Sequence, residues 1–380
     1  MKKAFSLLLS IVLFAFSAFY SISAATFTEE LDCKSAILIE ASTMKVLYEK
    51  NADQPYPPAS VTKIMTLLLV CEAIDNGTVK MTDYVPVSEK AAGMGGSQVY
   101  LKVGEEMTLE DMLKSVIVSS ANDCAVALAE YVSGSEAAFA VMMNERAKEL
   151  GMNNTVFENV TGLDDTVTNH VTSARDIAIM SAELLKHEYI TDYSTIWMDT
   201  IRNGQFGLTN TNRLIRFYKG ANGLKTGMTS KAGFCISATA ERGGMQLIAV
   251  IMGSPSRDVR NGCATDLLDF GFANYSLYHV DESGLYSVKL KGGYTDEISV
   301  CHDDFSALMK TKDLKNVKYE TRIPETLYAP LHSGEKVGSI DFYCGEEMIG
   351  SVDIKAGEDA PKIGFFGVFA QLLKKFLMNT

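Results

Sequence analysis

Ser60-Val61-Thr62-Lys63 stands at the head of a run, residues 61–74, that is apolar on almost every side. Such a run predicts a buried helix with Ser60 at its N-terminus. Because Lys63 follows Ser60 by three residues, both side chains occupy neighbouring positions on one face of that helix. A serine hydroxyl becomes a nucleophile when a base takes its proton, and Lys63 can be that base when it is neutral. Burial and the proximity of a second cation such as Lys225 would both lower the pKa of Lys63 in the required direction.

A second motif, Ser120-Ala121-Asn122, directly precedes a predicted helix. If this loop is extended, Ser120 and Asn122 both point into a cleft. Ser120 would then relay a proton to a leaving amine, and Asn122 would bind a substrate amide. The structural alternative is that Asn122 is only a helix cap.

A third motif, Lys225-Thr226-Gly227, lies on or beside a predicted strand. A fixed cation and a hydroxyl suit a substrate that ends in a free carboxylate. Gly227 lets the substrate backbone approach the strand closely. The backbone N–H of Met228, with that of Ser60, would form an oxyanion hole. Taken alone this motif would be a strand-edge turn, and the first motif an N-cap serine with a surface lysine.

The regions around the motifs predict both helices and antiparallel strands. Residues 36–39 and 45–48 form a hairpin pattern, and Thr108 begins a capping box ahead of a helix. Residues 233–240 and 245–252 predict paired strands, and residues 266–275 a closing helix. Beyond about residue 278 short alternating stretches between Gly-rich turns predict a small all-β module.

The two ends of the chain predict export and membrane association. Residues 1–25 have basic residues, an apolar stretch and small residues, the pattern of a cleaved signal peptide. Residues 359–380 contain apolar residues at helical spacing with Gly367, Gln371, Lys374 and Lys375 opposite. This amphipathic helix would lie in the interface of an anionic membrane at the outer face of the cytoplasmic membrane. The alternative is a terminal helix docked on its own domain.

Composition excludes several classes of protein. The net charge of −12 argues against a nucleic-acid partner. None of the five histidines makes a pair at metal-ligand spacing, which argues against a zinc hydrolase. Neither a metal nor an organic cofactor is expected. The odd number of widely scattered cysteines predicts single buried thiols and not a disulfide framework; they are Cys33, Cys71, Cys124, Cys235, Cys263, Cys301 and Cys344.

Three further stretches accompany the motifs: residues 96–101, Gly-Ser-Gln-Val-Tyr-Leu; residues 161–176, with Thr-Gly-Leu-Asp, His170 and Ala-Arg-Asp; and residues 210–214, Asn-Thr-Asn-Arg-Leu. With the three motifs in this order, the chain resembles the serine-type D-alanyl-D-alanine carboxypeptidases over nearly its whole length. These are the low-molecular-mass penicillin-binding proteins of the penicillin-binding protein 5-like family.

The resemblance implies an α+β fold. A β-lactamase/transpeptidase-like catalytic domain, with an antiparallel sheet and helices on both faces, would span residues 26–277. A β-rich domain would follow at residues 278–358, and then the membrane-anchoring helix. The implied reaction is removal of the terminal D-alanine from peptidoglycan stem pentapeptides in cell wall maturation, with β-lactams as covalent inhibitors.

The resemblance also implies a role for each site residue. Ser60 would be acylated, Lys63 would be its base and Ser120 the proton relay. Lys225 and Thr226 would bind the carboxylate. Arg260, in a position where the family often carries an arginine, would assist them; the alternative is a surface arginine.

This chain departs from the family pattern at two positions. Met228 stands where some members have histidine, which predicts changed substrate preference and not lost activity, because the oxyanion donor is a backbone group. Ala121 stands where glycine or aspartate is often seen, and we expect little effect there.

Three other functions compete with this prediction. A β-lactamase would need a glutamate that activates water, and residues 157–163 lack the Glu-x-x-Leu-Asn pattern. A D,D-endopeptidase would use the same site on peptide crosslinks. An inactive wall-binding scaffold would have no need to keep Ser60, Lys63, Ser120 and Lys225 together.

Overall fold

The protein is described by a computed structural model in which residues 27–165, 167–280 and 286–378 are placed. The predicted signal peptide lies outside these residues. The chain divides into a short unit, Met1–Glu30, and a unit Leu31–Thr380 that contains every described helix and strand.

Among the described residues, nine strands precede residue 255. They are β1 (Ser35–Glu40), β2 (Val46–Lys50), β3 (Tyr84–Pro86), β4 (Glu106–Thr108), β5 (Met198–Ile201), β6 (Phe206–Thr209), β7 (Ala221–Thr229), β8 (Gly233–Arg242) and β9 (Met245–Ser254). Five form one sheet in the order β2-β1-β9-β8-β7, in which every neighbouring pair is antiparallel. The predicted hairpin and the predicted strands after the third motif are therefore confirmed.

The same part of the chain also contains helices. They are α1 (Lys63–Asp75), α2 (Glu89–Ala92), α3 (Leu109–Ser119), α4 (Asn122–Ser133), α5 (Glu136–Glu149), α6 (Ala174–Leu185), α7 (Ile190–Ser194), α8 (Leu214–Phe217) and α9 (Arg257–Asn274). Nearly every residue of α1 is buried, as the apolar run predicted. Thr108 caps α3 by accepting a hydrogen bond from the backbone N–H of Asp111 at 3.2 Å.

Helices α6 and α9 cover opposite faces of the sheet, as predicted. Ser181 of α6 lies 2.8 Å from Ser237 of β8 through their hydroxyl oxygens. On α9, a Cβ built at Gly271 would lie 3.2 Å from Leu38 of β1. Ser237 and Leu38 point to opposite faces, because Ser237 pairs with Val250 and Leu38 with the adjacent Ala249.

Helix α9 begins nine residues before the predicted closing helix, so the predicted start at residue 266 is wrong. Ser256 caps it and accepts a hydrogen bond from the backbone N–H of Val259 at 3.2 Å. The first turns of this helix are rich in charged residues, so apolar periodicity does not mark its start. The extension places Arg260 inside a helix.

The C-terminal module is all-β, as predicted. Its strands are β10 (Tyr275–Val280), β11 (Tyr286–Lys291), β12 (Glu297–His302), β13 (Phe305–Lys310), β14 (Val317–Arg322), β15 (Thr326–Tyr328), β16 (Lys336–Cys344) and β17 (Glu347–Ala356). Six of them form a sheet in the order β14-β16-β17-β12-β11-β15, and β10 pairs with β13. Phe305 and Phe342 stack in its core with ring centroids 4.1 Å apart.

The chain ends in helix α10 (Phe365–Met378). Phe365 and Phe366 are 81% and 85% exposed, and Phe369 and Leu373 are exposed as well. These side chains are therefore not docked on the β module. Among the placed residues, no single helix has the length and apolar composition to cross a membrane; α4 and α5, bent by 82°, meet these criteria only as a pair.

All seven cysteines are free thiols. Five are buried, but Cys301 and Cys344 are only partly buried, so the expectation that every thiol is buried is wrong for these two. Both lie on strands of the small β module, where the core is thinner.

Candidate active site

Ser60 lies in a single 3₁₀ turn, Ala59–Thr62, that ends where α1 begins. It is thus one turn ahead of the helix and not at its first residue. The turn is held by a hydrogen bond from the Val61 N–H to the Pro58 carbonyl at 3.3 Å. Ala59 has a φ of 50°, in the left-handed region that a residue with a Cβ rarely adopts. The backbone beside Ser60 is therefore strained, as is common at functional sites.

The Lys63 amine lies 3.0 Å from Ser60 Oγ. It also donates a hydrogen bond to the Thr161 carbonyl at 3.0 Å. The Lys63 side chain is 0% exposed, which excludes the surface-lysine alternative. Burial, and then the charge of Lys225, hold the pKa of Lys63 well below its usual value, against the opposing effect of Asp123. These are the two causes expected from the sequence.

The loop that carries Thr161 is fixed by Asn159. Asn159 Oδ1 accepts hydrogen bonds from the N–H groups of Gly162 at 2.7 Å and Thr161 at 3.1 Å, and its Nδ2 donates to the Leu163 carbonyl at 2.8 Å. Thr66 of α1 donates to the neighbouring Val160 carbonyl at 2.7 Å. The loop therefore presents the Thr161 carbonyl to Lys63 in a defined position. Asn159 was not predicted to have a role, although Asn-x-x-Gly is a turn pattern.

His170 supports this loop from the side of the nucleophile. Its Nδ1 accepts a hydrogen bond from the Glu158 N–H at 3.0 Å, so the ring proton is on Nε2, which donates to Thr62 Oγ1 at 2.7 Å. Burial lowers the pKa of His170 to about 4, so the ring is neutral near pH 7. His170 is thus a positioning residue that connects the loop to the turn of Ser60.

Ser120 ends helix α3 with a φ of 62°, and its side chain lines the cleft. Its Oγ is buried and has no hydrogen-bond partner among the described residues. An unpaired buried hydroxyl is costly unless a ligand completes it. Ser120 therefore has the position and the free hydroxyl that a proton relay needs.

Asn122 is the first residue of α4 and is buried. It is not the helix cap, because Ala121 holds that position without a side-chain bond. Its Nδ2 donates to the Gly95 carbonyl at 2.7 Å, while Oδ1 has no partner in the described chain. The Nδ2 bond anchors the segment at Gly95, and the unpaired Oδ1 is an acceptor that a substrate amide could use.

Asp123 fixes the rest of that segment. Its carboxylate accepts hydrogen bonds from the N–H groups of Val99 at 3.0 Å and Leu101 at 3.1 Å. These bonds, with one from the Asn122 N–H to the Ser97 carbonyl at 2.7 Å, bring Ser97 to the cleft. The sequence indicated this segment only by family pattern, and Asp123 was not singled out.

Lys225 and Thr226 lie on β7 beside the nucleophile. Lys225 is buried and donates to the Thr226 carbonyl at 3.0 Å. Burial, and then the charge of Arg260, lower the pKa of Lys225 to about 7. The Thr226 hydroxyl donates to Thr211 Oγ1 at 2.8 Å and lines the cleft.

Gly227 is required for a reason other than substrate approach. A Cβ built there would lie 2.8 Å from the Pro58 carbonyl oxygen and 2.9 Å from the Ser60 nitrogen. Glycine therefore allows β7 to pack against the turn of Ser60. The next residue, Met228, is 57% exposed at the cleft.

Arg260 is buried, which excludes the surface-arginine alternative. Its Nη2 donates to Asn261 Oδ1 at 2.8 Å and its Nη1 to the Cys235 carbonyl at 3.4 Å. Burial, and then the like charge of Arg257, lower its pKa to about 10. Because that value is far above neutrality, Arg260 offers the cleft a permanent positive charge.

The cleft has a volume of about 390 Å³. It is lined by Ser60, Ser97, Ser120, Trp197, Thr209, Asn210, Thr211, Arg213, Thr226, Gly227, Met228, Phe234, Arg257 and Arg260. These described residues include three arginines and no Asp or Glu. In a chain of net charge −12 this lining favours an anionic ligand.

Two family models match the chain. One, described as D-alanyl-D-alanine carboxypeptidase, matches residues 22–256, and one described as penicillin-binding protein 5, C-terminal domain, matches residues 272–362. The chain is 44% identical over 348 residues to D-alanyl-D-alanine carboxypeptidase DacF of Bacillus subtilis (strain 168), with 89% of each chain covered.

Solved structures show the same similarity. Penicillin-binding protein 5 from Haemophilus influenzae has a TM-score of 0.74 at 28% identity, over 89% of this chain and 100% of that chain. Penicillin-binding protein D2 from Listeria monocytogenes, in its cefotaxime-bound form, has a TM-score of 0.61 at 30% identity, over 65% of this chain and 100% of that chain.

Proposed function

Because the chain belongs to the D-alanyl-D-alanine carboxypeptidase family, whose members are serine peptidases, we propose that Ser60 is the nucleophile that removes the terminal D-alanine from peptidoglycan stem pentapeptides. The observation that carries this assignment is the contact between a buried Lys63 amine and Ser60 Oγ at 3.0 Å. A neutral lysine there has a lone pair for the serine proton.

The reaction begins when Ser60 Oγ attacks the carbonyl between the last two residues while its proton moves to Lys63 Nζ. The carbon–nitrogen bond then breaks, and the leaving D-alanine amine takes a proton that Ser120 Oγ relays. Water hydrolyses the resulting ester and frees Ser60. The free, buried Ser120 hydroxyl supports this role.

The backbone N–H groups of Ser60 and Met228 would stabilise the oxyanion. Gly227 supports this assignment, since only a residue without a Cβ lets the strand lie against the Ser60 nitrogen. Donors on a packed strand and turn are held in place before the substrate arrives, which is what makes such donors effective.

The substrate carboxylate would bind where positive charge and hydroxyl groups converge. Thr226 and Arg260 line that part of the cleft, and Lys225 lies buried next to Thr226. A guanidinium and a hydroxyl both donate to a carboxylate. Met228, exposed at the same rim, would contact the substrate side chains and affect preference among them.

The site also supports slow release of β-lactams. Glu158, the acidic residue in the region where a β-lactamase carries its glutamate, accepts hydrogen bonds from the N–H groups of Thr168 at 2.8 Å and Asn169 at 3.1 Å. With this carboxylate engaged elsewhere, and no acidic residue in the described cleft lining, activation of water is weak. The Listeria relative in its cefotaxime-bound form supports the same expectation.

Intact mass after incubation with benzylpenicillin tests this function. We expect one stable penicilloyl group on each chain and none on Ser60→Ala. Rapid release of penicilloate would instead identify a β-lactamase. An unmodified wild-type chain would identify an inactive scaffold.

The pKa of Lys225 predicts a falling limb in the pH profile. Above about pH 7 this amine loses its proton and its attraction for a carboxylate, so kcat/KM should fall about fivefold by about pH 9. The fall is partial because Arg260, with a pKa of about 10, stays charged. In Lys225→Arg the limb should disappear, because a guanidinium keeps its proton. An unchanged limb in that variant would assign it to another group.

The protein would act at the cell envelope, on the outer face of the cytoplasmic membrane. The exposed apolar side chains of α10 support this location, since Phe365, Phe366 and Phe369 can enter the interface of a bilayer. Export would depend on the predicted signal peptide.

Deletion of residues 361–380 should move the mature protein from vesicles of anionic phospholipid into the supernatant. The point variant Phe366→Asp should weaken sedimentation at least about fivefold, because it introduces a charge into the apolar face. The matched control is Phe217→Asp, which changes an exposed phenylalanine outside α10 and should sediment like the wild type. Continued sedimentation of the deletion variant would contradict the anchor.

A further inference from the structure

The C-terminal module contains a second cavity of about 390 Å³, far along the chain from the catalytic motifs. Tyr319 and Thr321 of the edge strand β14 pair with Phe342 and Ile340 of β16 and form one wall. Strands β10, β11 and β12 supply the other side with Tyr278, Tyr286 and His302. The residues come from five strands, so the shape of the cavity is set by the sheet and not by one loop.

The wall of this cavity combines aromatic rings with groups that hydrogen-bond. Phe342 is the centre of an aromatic cluster, with the ring centroids of Tyr278 and Tyr319 at 6.1 Å and 6.4 Å from its own. The three tyrosines and Thr321 add hydroxyl groups. His302 donates from Nδ1 to the Asp303 carbonyl at 2.8 Å, which makes Nε2 the acceptor of the neutral ring.

Charge is missing from the described part of this wall, which holds no Asp, Glu, Lys or Arg. A charged ligand would lose its hydration there without a partner. The ring of Tyr319, by contrast, is 66% exposed at the opening, although an aromatic side chain gains most by burial. An exposed aromatic ring at the mouth of a cavity is a feature of ligand sites.

We propose that this cavity binds a neutral saccharide, the glycan strand of peptidoglycan. A sugar ring has an apolar face that packs on aromatic rings and hydroxyl groups that pair with tyrosine, threonine and histidine. A lipid chain would leave these polar groups unpaired. The choice of the glycan rests on the proposed function, because the stem peptide that Ser60 would cleave is attached to such a strand. The module would then hold the strand while the cleft takes the peptide.

The test is calorimetric titration of the full chain with chitotetraose, a neutral β-1,4-linked N-acetylglucosamine tetramer. We expect wild-type binding, and at least a tenfold weaker affinity in Tyr319→Ala. Tyr328→Ala is the matched control, since Tyr328 is also 66% exposed but does not line the cavity; its affinity should equal that of the wild type. Tyr319→Phe keeps the ring and should bind within about threefold of the wild type.

Absence of wild-type binding, or equal losses in the Tyr319→Ala and Tyr328→Ala variants, would overturn the proposal. A third result would also overturn the proposal: an apolar dye binds, Tyr319→Ala weakens its binding, and chitotetraose does not bind. The cavity would then take an apolar ligand. Benzylpenicillin acylation of Ser60 separates this proposal from the catalytic one. Acylation without sugar binding rejects only the saccharide site, and sugar binding without acylation rejects only the catalytic role.

Discussion

Replacement of Lys63 by methionine is expected to slow acylation of Ser60 by at least about a hundredfold and to leave the fold intact. The rate falls because the amine 3.0 Å from Ser60 Oγ is the base, and general bases contribute about two to four powers of ten. The fold survives because methionine fills a similar buried volume without the cost of a desolvated amine. The rate of penicilloyl-adduct formation measures the effect.

Lys231→Met is the matched control for this variant. Lys231 is exposed and donates to the Asp164 carbonyl at 2.9 Å, so its loss should change the rate less than about twofold. Thermal unfolding of both variants checks that the fold is retained. A folded Lys63→Met variant that still acylates at the wild-type rate would remove Lys63 as the base.

Gly162→Ala is expected to lower the acylation rate at least about tenfold and the free energy of unfolding by about 3 kcal/mol. Gly162 has a φ of +79°, and a Cβ there would lie 1.8 Å from the Ala59 carbonyl oxygen and 2.7 Å from Thr62 Oγ1. The loop must therefore move away from the turn of Ser60, and the Thr161 carbonyl moves away from Lys63 with it.

The variant Gly151→Ala separates the effect of the Gly162 contact from the effect of a Cβ at a positive φ. Gly151 has a similar φ of +73°, but a Cβ there meets nothing within 4 Å. It should lose only about 1 kcal/mol of unfolding free energy and keep the wild-type acylation rate. Urea unfolding and adduct formation measure both variants. Equal losses in the two would show that the Gly162 contact does not position the site.

Short-range patterns predicted the helices and strands well wherever burial repeats along the chain. The apolar run after Ser60 became α1, and the alternating stretches of the C-terminal module became strands. Helix α9 shows the limit of such patterns. Its start at Arg257 has no apolar periodicity and depends on a cap at Ser256, so the start predicted from the apolar pattern, residue 266, lies too far along the chain.

The chemistry of the site was predicted from residue types in a fixed order. Ser60, Lys63 and Thr226 carry functional groups that suit acyl transfer wherever the chain brings them. The lowered pKa of Lys63 needed burial and a neighbouring cation, and the sequence indicated both. The reason for Gly227 was not predictable, because the group it must avoid is the turn of Ser60, distant in sequence.

The roles of the supporting residues were the main omission. Asn159 and Asp123 act by hydrogen bonds to backbone groups, up to 24 positions away for Asp123 and Val99, and His170 also joins the hydroxyl of Thr62, 108 positions away. A side chain that binds a backbone group leaves no pattern in spacing or composition. Such roles become visible only when the loops are placed in three dimensions.

The sequence by itself thus predicted the helices, the strands and the residues whose groups suit acyl transfer, because burial periodicity and functional-group chemistry are local properties; the fold class followed from the resemblance to a known family. Tertiary structure alone decided which distant backbone groups hold those side chains, which glycines must lack a Cβ, and that the β module encloses an aromatic cavity. These depend on packing between segments far apart in the chain, and packing is a property of the whole fold.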